Sequence, residues 1–344
     1  MPPRRKQPSL NVIAKEIGVS PATISRVLNG KPGIAEATRR KVLDALDARG
    51  YPKTAVRGGV QTLRNGSGTI AFAISGELRQ RLQSSEPFYT RHLLAVQTAC
   101  AEFGFYPILI DYEQDKTPNG SLRCVEEQRV FGIVASWMPP ELVETVREHV
   151  GIVLFNKLTP VSGVDYVIPD IRQAVREQMT HLYDLGHRSV ACFRPFPGGG
   201  WQSNFIWAEY WLQVHKLEMH NPPEFFEPIR FSVHGERPAM TGFLDRVLSI
   251  PNPPTAILTY DSYGKIFVGM LEERGLRVPE EISLVGFDDR VDFLSTYQQN
   301  FNGMAREALR ALVDRSARPD LPGRVIEVEG KTIWRESVAP APKR

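Results

Sequence analysis

The chain has 344 residues, 42% of them hydrophobic and 24% charged, which suits a soluble protein of two or three domains and exceeds what one small core can hold. No apolar run reaches the length of a membrane span, and the basic start MPPRRKQPSLNVIAK leads into no secretory signal. The three cysteines, Cys100, Cys124 and Cys192, are scattered without metal-site spacing, which argues against a zinc site or disulfide framework and for a reducing cytoplasm. Charge is uneven: residues 1–65 hold thirteen lysines and arginines against four carboxylates, a net of nine positive charges, leaving minus six for the rest of a chain that totals +3. A basic module on an acidic body is the electrostatic footprint of nucleic-acid binding, although a solvated basic face would carry the same charge.

In chain order, Leu10, Ile13, Ala14 and Ile17 follow i, i+3, i+4, i+7 spacing and predict a first helix, capped by Ser9 and ended by Gly18. Ser20 caps a second helix with Pro21 at its first position, where the missing N–H costs nothing. On that helix Ile24, Val27 and Leu28 form the inward face, and Ala22, Ser25, Arg26 and Asn29 repeat on the other. A third helix is predicted from Ala35 to Arg49, stopping at Gly50. Two helices joined by a tight glycine turn, the second with a small polar outer face, describe a helix-turn-helix, whose second helix fits the DNA major groove. Residues 52–68, PKTAVRGGVQTLRNGSG, mix basic residues with four glycines and read as a flexible linker.

From Thr69 onward apolar strands alternate with helices. TIAFAI, YPILID, GIVASW and GIVLF read as buried parallel strands, with helical segments at 90–103, 122–129 and 140–149. A second series follows with SVACF, AILTY and SLVGF, and helices near 171–185, 203–217, 238–248 and 262–274. Two such series predict two doubly wound α/β lobes, with a ligand at the carboxyl ends of the strands and a natural pocket between the lobes.

The stretch LNVIAKEIGVSPATISRVLNGKPGIAEATRRKVLDALDARGY resembles the DNA-binding headpiece of the lactose/galactose-repressor family of bacterial transcription regulators. HLYDLGHRSVACF, ERGLRVPEEISLVGFDD and the terminal IWRESVAP are similar to the family's sensor, itself similar to periplasmic sugar-binding proteins, so the resemblance extends over essentially the whole chain. It implies that Pro21, Ala22 and Arg26 read bases, that Ser20, Thr23, Ser25, Asn29 and Tyr51 help docking, and that the linker folds into a hinge helix with Val60 as its minor-groove wedge. Gly58 and Gly59 just before Val60 lower helix propensity by about 1 kcal/mol each relative to alanine, so the hinge departs from the family pattern. The implied division is a headpiece over 1–51, a hinge over 52–68 and a body over 69–340. Its first lobe covers about 69–167 plus 300–327, and its second about 168–299 plus 328–340.

The resemblance also places ligand contacts. Asp288 of GFDD and Gln299 keep their family positions, and Phe88 matches an aromatic that lines the cleft. The usual Asn-Asp pair is Tyr260-Asp261 here, Asn156 replaces an aspartate, and Ile206 stands where a ligand-clamping arginine is expected. Trp201, beside FPGGG, and Ser136 complete the candidate pocket, whereas Trp207 and Trp211, i and i+4 on a helix, are read as core. His181 and His187 fall in a family structural motif and are expected to pack or cap, and adjacent Asp288 and Asp289 point apart and make a poor acid pair. PGGGW lacks the ending of a phosphate loop.

No cofactor, metal, catalysis or membrane is therefore expected. The expected partners are double-stranded operator DNA, a second copy of the chain and a neutral, partly apolar effector, a sugar stacked on an aromatic or a glycoside. The end at Arg344 without a leucine heptad tail favours a dimer over a tethered tetramer. Two rivals stand beside this reading: a regulator whose body only dimerises, and a solute-binding protein, which the headpiece opposes.

Overall fold

The computed structural model describes residues 10–28, 34–47, 68–83, 87–158, 161–193, 201–226, 236–318 and 322–343. At the N-terminus are α1 (Leu10–Glu16), α2 (Pro21–Leu28) and α3 (Glu36–Asp47). Their small core is Ile13, Ala14, Ile24, Val27 and Val42, with Ile17, Val19, Ile34 and Ala45 packed against it. These are the apolar positions that helical spacing brings to one side of each helix.

The body follows with β1 (Thr69–Ile74), α4 (Gly76–Gln83), α5 (Pro87–Phe103), β2 (Tyr106–Asp111), α6 (Tyr112–Asp115), α7 (Arg123–Glu126), β3 (Gly132–Ala135), α8 (Pro140–Arg147) and β4 (Gly151–Phe155). Then come β5 (Asp165–Pro169), α9 (Ile171–Asp184), β6 (Val190–Phe193), α10 (Trp201–Lys216), α11 (Glu236–Leu248), β7 (Ala256–Thr259) and α12 (Asp261–Glu272). The chain finishes with β8 (Ser283–Phe287), β9 (Ser295–Gln298), α13 (Phe301–Ala317), β10 (Val325–Val328) and β11 (Lys331–Ile333). Two sheets result, ordered β10-β5-β4-β3-β1-β2 and β11-β9-β8-β7-β6. The β1–β4 and β6–β9 neighbours pair in parallel, and β11 closes the second sheet antiparallel to β9.

The chain divides into two compact units, one of Met1–Arg79, Leu93–Tyr166 and Ala305–Val325, the other of Gln80–His92, Val167–Met304 and Ile326–Arg344. In the second unit the strand period of two sorts the core onto two faces. Val190, Cys192, Ala256 and Leu258 join one cluster, and their neighbours Ala191, Phe193 and Ile257 join the other. In the first unit β1, β3 and β4 are buried almost throughout.

YPILID corrects the expectation of a buried strand. Tyr106, Ile108 and Leu109 of β2 are 76%, 37% and 48% exposed, because β2 is the edge of its sheet and lacks the neighbour that covers an inner strand.

The first unit is also tied by a buried ion cluster. Asp165, fully buried at the start of β5, accepts from Arg315 Nη2 at 2.8 Å, Arg324 Nη2 at 3.1 Å and the Arg324 backbone N–H at 3.0 Å. Burial alone would raise its pKa, but the Arg324 and Arg315 hydrogen bonds hold the carboxyl below its ordinary value. His187, expected to pack or cap, is buried between Thr255 Oγ1 at 2.8 Å and the Ala339 carbonyl at 3.0 Å, while His181 stacks on Trp334 at 3.8 Å.

Candidate functional site

The headpiece geometry is built by local chemistry. Gly18 turns the chain at φ +66°, a conformation glycine adopts without penalty, and Val19 N–H still reaches the Ala14 carbonyl at 3.0 Å. Ser20 Oγ then accepts from Thr23 N–H at 3.0 Å and contacts Thr23 Oγ1 at 2.9 Å, capping α2 in front of Pro21. Ser20 and Pro21 are exposed and Thr23 half-buried, while Ile24 and Val27 hold the helix to the core. The side chains of Ala22, Ser25 and Arg26, and residues Ser9, Asn29, Tyr51 and Val60, lie outside the described residues.

In the second unit the candidate ligand residues gather where β8 ends. Asp288 and Asp289 follow Phe287 at φ +106° and +53°, two successive non-glycine residues in left-handed territory. Such strain persists only where surrounding bonds over-determine it. Here they do: Asp289 accepts from Arg335 Nη2 at 2.6 Å, Gln298 Nε2 at 2.6 Å and Arg91 Nη1 at 3.2 Å. Arg91 Nη2 also donates to the Asp288 and Asp289 carbonyls at 2.8 and 2.7 Å. Asp288 points elsewhere, accepting from Gln299 Nε2 at 2.6 Å and lying 3.4 Å from Arg290 Nε.

Behind this turn stands Asp261, fully buried at the start of α12. It accepts from the Arg290 backbone N–H at 2.6 Å and from Thr296 Oγ1 at 2.8 Å. Burial pushes its carboxyl up to about 7, against the pull of those two hydrogen bonds. Gly286 is required beside it, because a Cβ there would come within 1.8 Å of Asp261 Oδ1.

Phe88 completes the group. It is 6% exposed, packed among Tyr89, His92 and Phe301, and covered by the Arg290 guanidinium 3.9 Å from its ring centroid. Phe88 thus offers a ligand little ring surface, and the guanidinium upon it is the more accessible group. His92 donates Nδ1–H to the Phe88 carbonyl at 3.1 Å, and burial lowers its pKa to about 4, so the ring is neutral. Tyr260 stands before Asp261 with its ring edge-on to Phe287 at 5.8 Å. Trp201 begins α10, but its side chain lies outside the described residues.

Two expectations on α10 are corrected. Ile206 lines no open pocket: it is 1% exposed and, with Tyr210 and Val214, forms the i, i+4, i+8 stripe that packs into the second unit's core. Trp207, expected in that core, is 53% exposed, because one residue beyond Ile206 the helix has turned it off the buried stripe. Trp211 packs only partly, and both tryptophans line a surface groove of about 390 Å³ with Pro223 and Phe226.

In the first unit Ser136 follows β3 and Asn156 follows β4, Asn156 at φ +60°. The residues beside them escaped the sequence reading. Trp137 lies under Lys157 Nζ at 5.2 Å, and burial lowers the Lys157 pKa. Tyr112, whose ring is 6.3 Å from Trp137, is 2% exposed, with a buried hydroxyl that meets no partner among the described residues. Arg91, Arg290 and Arg335 also escaped it. Only Arg290 carried a signal, as the cation that directly follows the acidic pair.

Comparison with known proteins adds the following. A family profile described as "Bacterial regulatory proteins, lacI family" matches residues 9–53. "Periplasmic binding proteins and sugar binding domain of LacI family" matches 80–197, and "Periplasmic binding protein-like domain" matches 179–338. An uncharacterized HTH-type transcriptional regulator of Streptomyces limosus is 30% identical over 329 residues, covering 90% of this chain and 88% of that protein. The HTH-type transcriptional repressor PurR of Vibrio vulnificus is 25% identical over 344 residues, covering 95% and 97%. Among solved structures, the complex of the transcriptional regulator CelR with cellobiose superposes with a TM-score of 0.63 at 25% identity, over 96% of this chain and 99% of that one.

Proposed function

The chain belongs to the LacI family of bacterial regulatory proteins, and on that premise we propose that it represses transcription as a dimer on a two-fold operator, its affinity switched by a neutral carbohydrate. The observation that carries this reading is the Ser20-capped α2 across the Gly18 turn from α1 in a module of strongly positive charge. A capped helix presented across such a turn reads major-groove base edges, and an arginine at position 26 suits a guanine O6/N7 pair. One headpiece reads one half-site, so two-fold symmetry of the operator calls for a second copy. The exposed apolar residues Leu94, Tyr106, Ile108 and Leu109 of α5 and β2 supply a surface for it.

Effector binding is supported by the carboxylate, guanidinium and carboxamide of Asp288, Arg290 and Gln299 at the end of β8, groups that suit hydroxyls. A similar regulator has been seen with cellobiose, a neutral disaccharide. The reading assigns the chain no catalytic step, since Asp288 and Asp289 are engaged by separate partners.

The test is selection of a preferred site from random DNA, followed by binding titrations of wild type and Arg26→Ala. Loss of Arg26 should cost about 1–3 kcal/mol on the selected site and far less on random DNA, with steep salt dependence for the wild type. Equal losses on both DNAs would remove the base-reading role, and a flat salt response would remove the headpiece assignment. Ile108→Lys, measured by sedimentation, should shift the protein toward monomer.

A further inference from the structure

We infer that Trp137 and Tyr112 form a pyranose subsite in the first unit, the indole taking the C–H face of a sugar ring and the Tyr112 hydroxyl meeting one of the sugar's hydroxyls. This deepens the effector reading above and rests on it. Both residues stand where parallel sheets hold ligands, at the carboxyl ends of strands. Tyr112 opens α6 directly after β2, and Trp137 lies two residues beyond β3. Their ring centroids are 6.3 Å apart, and Lys157, two residues beyond β4, puts Nζ 5.2 Å from the indole centroid. Burial raises the Tyr112 hydroxyl above its ordinary pKa, with Glu113, Asp111 and Glu77 adding to the rise, while Glu77 opposes the lowering that burial imposes on Lys157. Glu77 lies near the start of α4 after β1, so the ends of four strands converge on one place, all within the first unit.

Two features of this group ask for a sugar. The first is Tyr112 Oη, which is buried and meets no partner among the described residues. A buried hydroxyl is costly unless it is bonded, and packing alone would be served as well by phenylalanine. Its raised pKa keeps it protonated, so it can both donate to a ligand hydroxyl and accept from one. The second feature is the indole face. Its negative quadrupole is what draws the Lys157 ammonium, and the polarised C–H face of a pyranose carries the same sign of charge. The lysine stem is long and flexible, so the ammonium can leave the ring and donate to a sugar hydroxyl instead. An open-chain polyol has the hydroxyls but no rigid C–H face, and it lacks half of what the pair reads.

The experiment is isothermal titration of the full-length protein with cellobiose, maltose, methyl glucoside, methyl galactoside and the open-chain glucitol, on wild type, Trp137→Leu, Trp137→Phe and Tyr112→Phe. Wild type should bind at least one of the cyclic sugars, and glucitol about tenfold more weakly or worse. Trp137→Leu should weaken the cyclic sugar by about ten- to a hundredfold, and Trp137→Phe by less, because the smaller ring keeps part of the face. Tyr112→Phe should weaken it by about three- to tenfold while the urea midpoint stays at the wild-type value, a split that a purely structural tyrosine would not show. Should Trp137→Leu fail to fold, Trp137→Phe and Tyr112→Phe decide. Unchanged sugar affinity in Tyr112→Phe, or in the Trp137 variants that fold, overturns the inference while leaving the effector reading standing. Glucitol bound as tightly as the cyclic sugars, or more tightly, overturns it too. A wild type that binds none of these compounds overturns the effector reading and the inference together.

Discussion

The carboxyl ends of the two sheets are built on opposite principles. In the second unit the turn after β8 is a lattice of charge: Arg91, Arg290 and Arg335 meet Asp288 and Asp289 within hydrogen-bonding or ion-pair distance, on top of the buried Asp261. In the first unit the strand ends carry Tyr112, Ser136, Trp137, Asn156 and Lys157, and the buried ion cluster of that unit sits instead where β5 begins, at Asp165. Parallel sheets place ligands at carboxyl ends. The second unit thus ends in a polar surface of paired charges, and the first in an aromatic one whose Tyr112 hydroxyl meets no partner among the described residues. A hydrogen-bonded network holds its groups in fixed directions, while an aromatic–lysine surface makes weaker directional demands.

The largest expected loss from a substitution tests where each unit keeps its structural charge. Asp165→Ala should destabilise the first unit by about 3 kcal/mol in urea unfolding, because it removes the buried carboxylate that Arg315 and Arg324 share, although Arg324 keeps its pair with Asp314. The Asp165 carboxyl is held below its ordinary pKa, so its stabilisation is present above the unfolded pKa and is lost as pH falls through the folded one. Asp165→Asn should blunt that acid sensitivity.

The second unit should show the opposite pH slope. The folded pKa of Asp261, about 7, lies above its unfolded value, so the native state holds an extra proton between about pH 4 and 7. Stability from this group is complete below the unfolded pKa and declines as pH rises toward 7, by roughly 4 kcal/mol at about 1.4 kcal/mol per pKa unit. Asp261→Asn, followed by denaturant melts from pH 4.5 to about 8, should flatten that decline. An unchanged slope would mean that the buried carboxyl does not carry it.

Two tyrosines sharpen the comparison further. Tyr297 Oη donates to Gln173 Oε1 at 2.8 Å and accepts from Gly330 N–H at 2.5 Å, so Tyr297→Phe should cost about 1 kcal/mol or slightly more. Tyr112 Oη satisfies nothing among the described residues, so Tyr112→Phe should stay within about 0.5 kcal/mol of wild type in the same unfolding assay. A large loss at Tyr112 would place the first sheet's end in the same structural class as the second.

Local chemistry made the headpiece and the strand–helix alternation readable in advance. A cap such as Ser20, a turn glycine such as Gly18 and the periodic stripe of Ile13, Ala14 and Ile17 act over a few residues, and their outcome is written in the same few residues. Asp288 and Gln299 were singled out by family resemblance and not by local chemistry of this kind. The exposure of β2 was not legible, because an edge strand and an inner strand can share one apolar pattern and differ only in whether a neighbour pairs beside them. The inward turn of Ile206 and the arrival of Arg290 over Phe88, 202 residues away in the chain, were also beyond the sequence. Burial direction on a mostly apolar helix, and partners brought together across the chain, are decided by long-range packing, where many side chains choose jointly and no local signal records the choice.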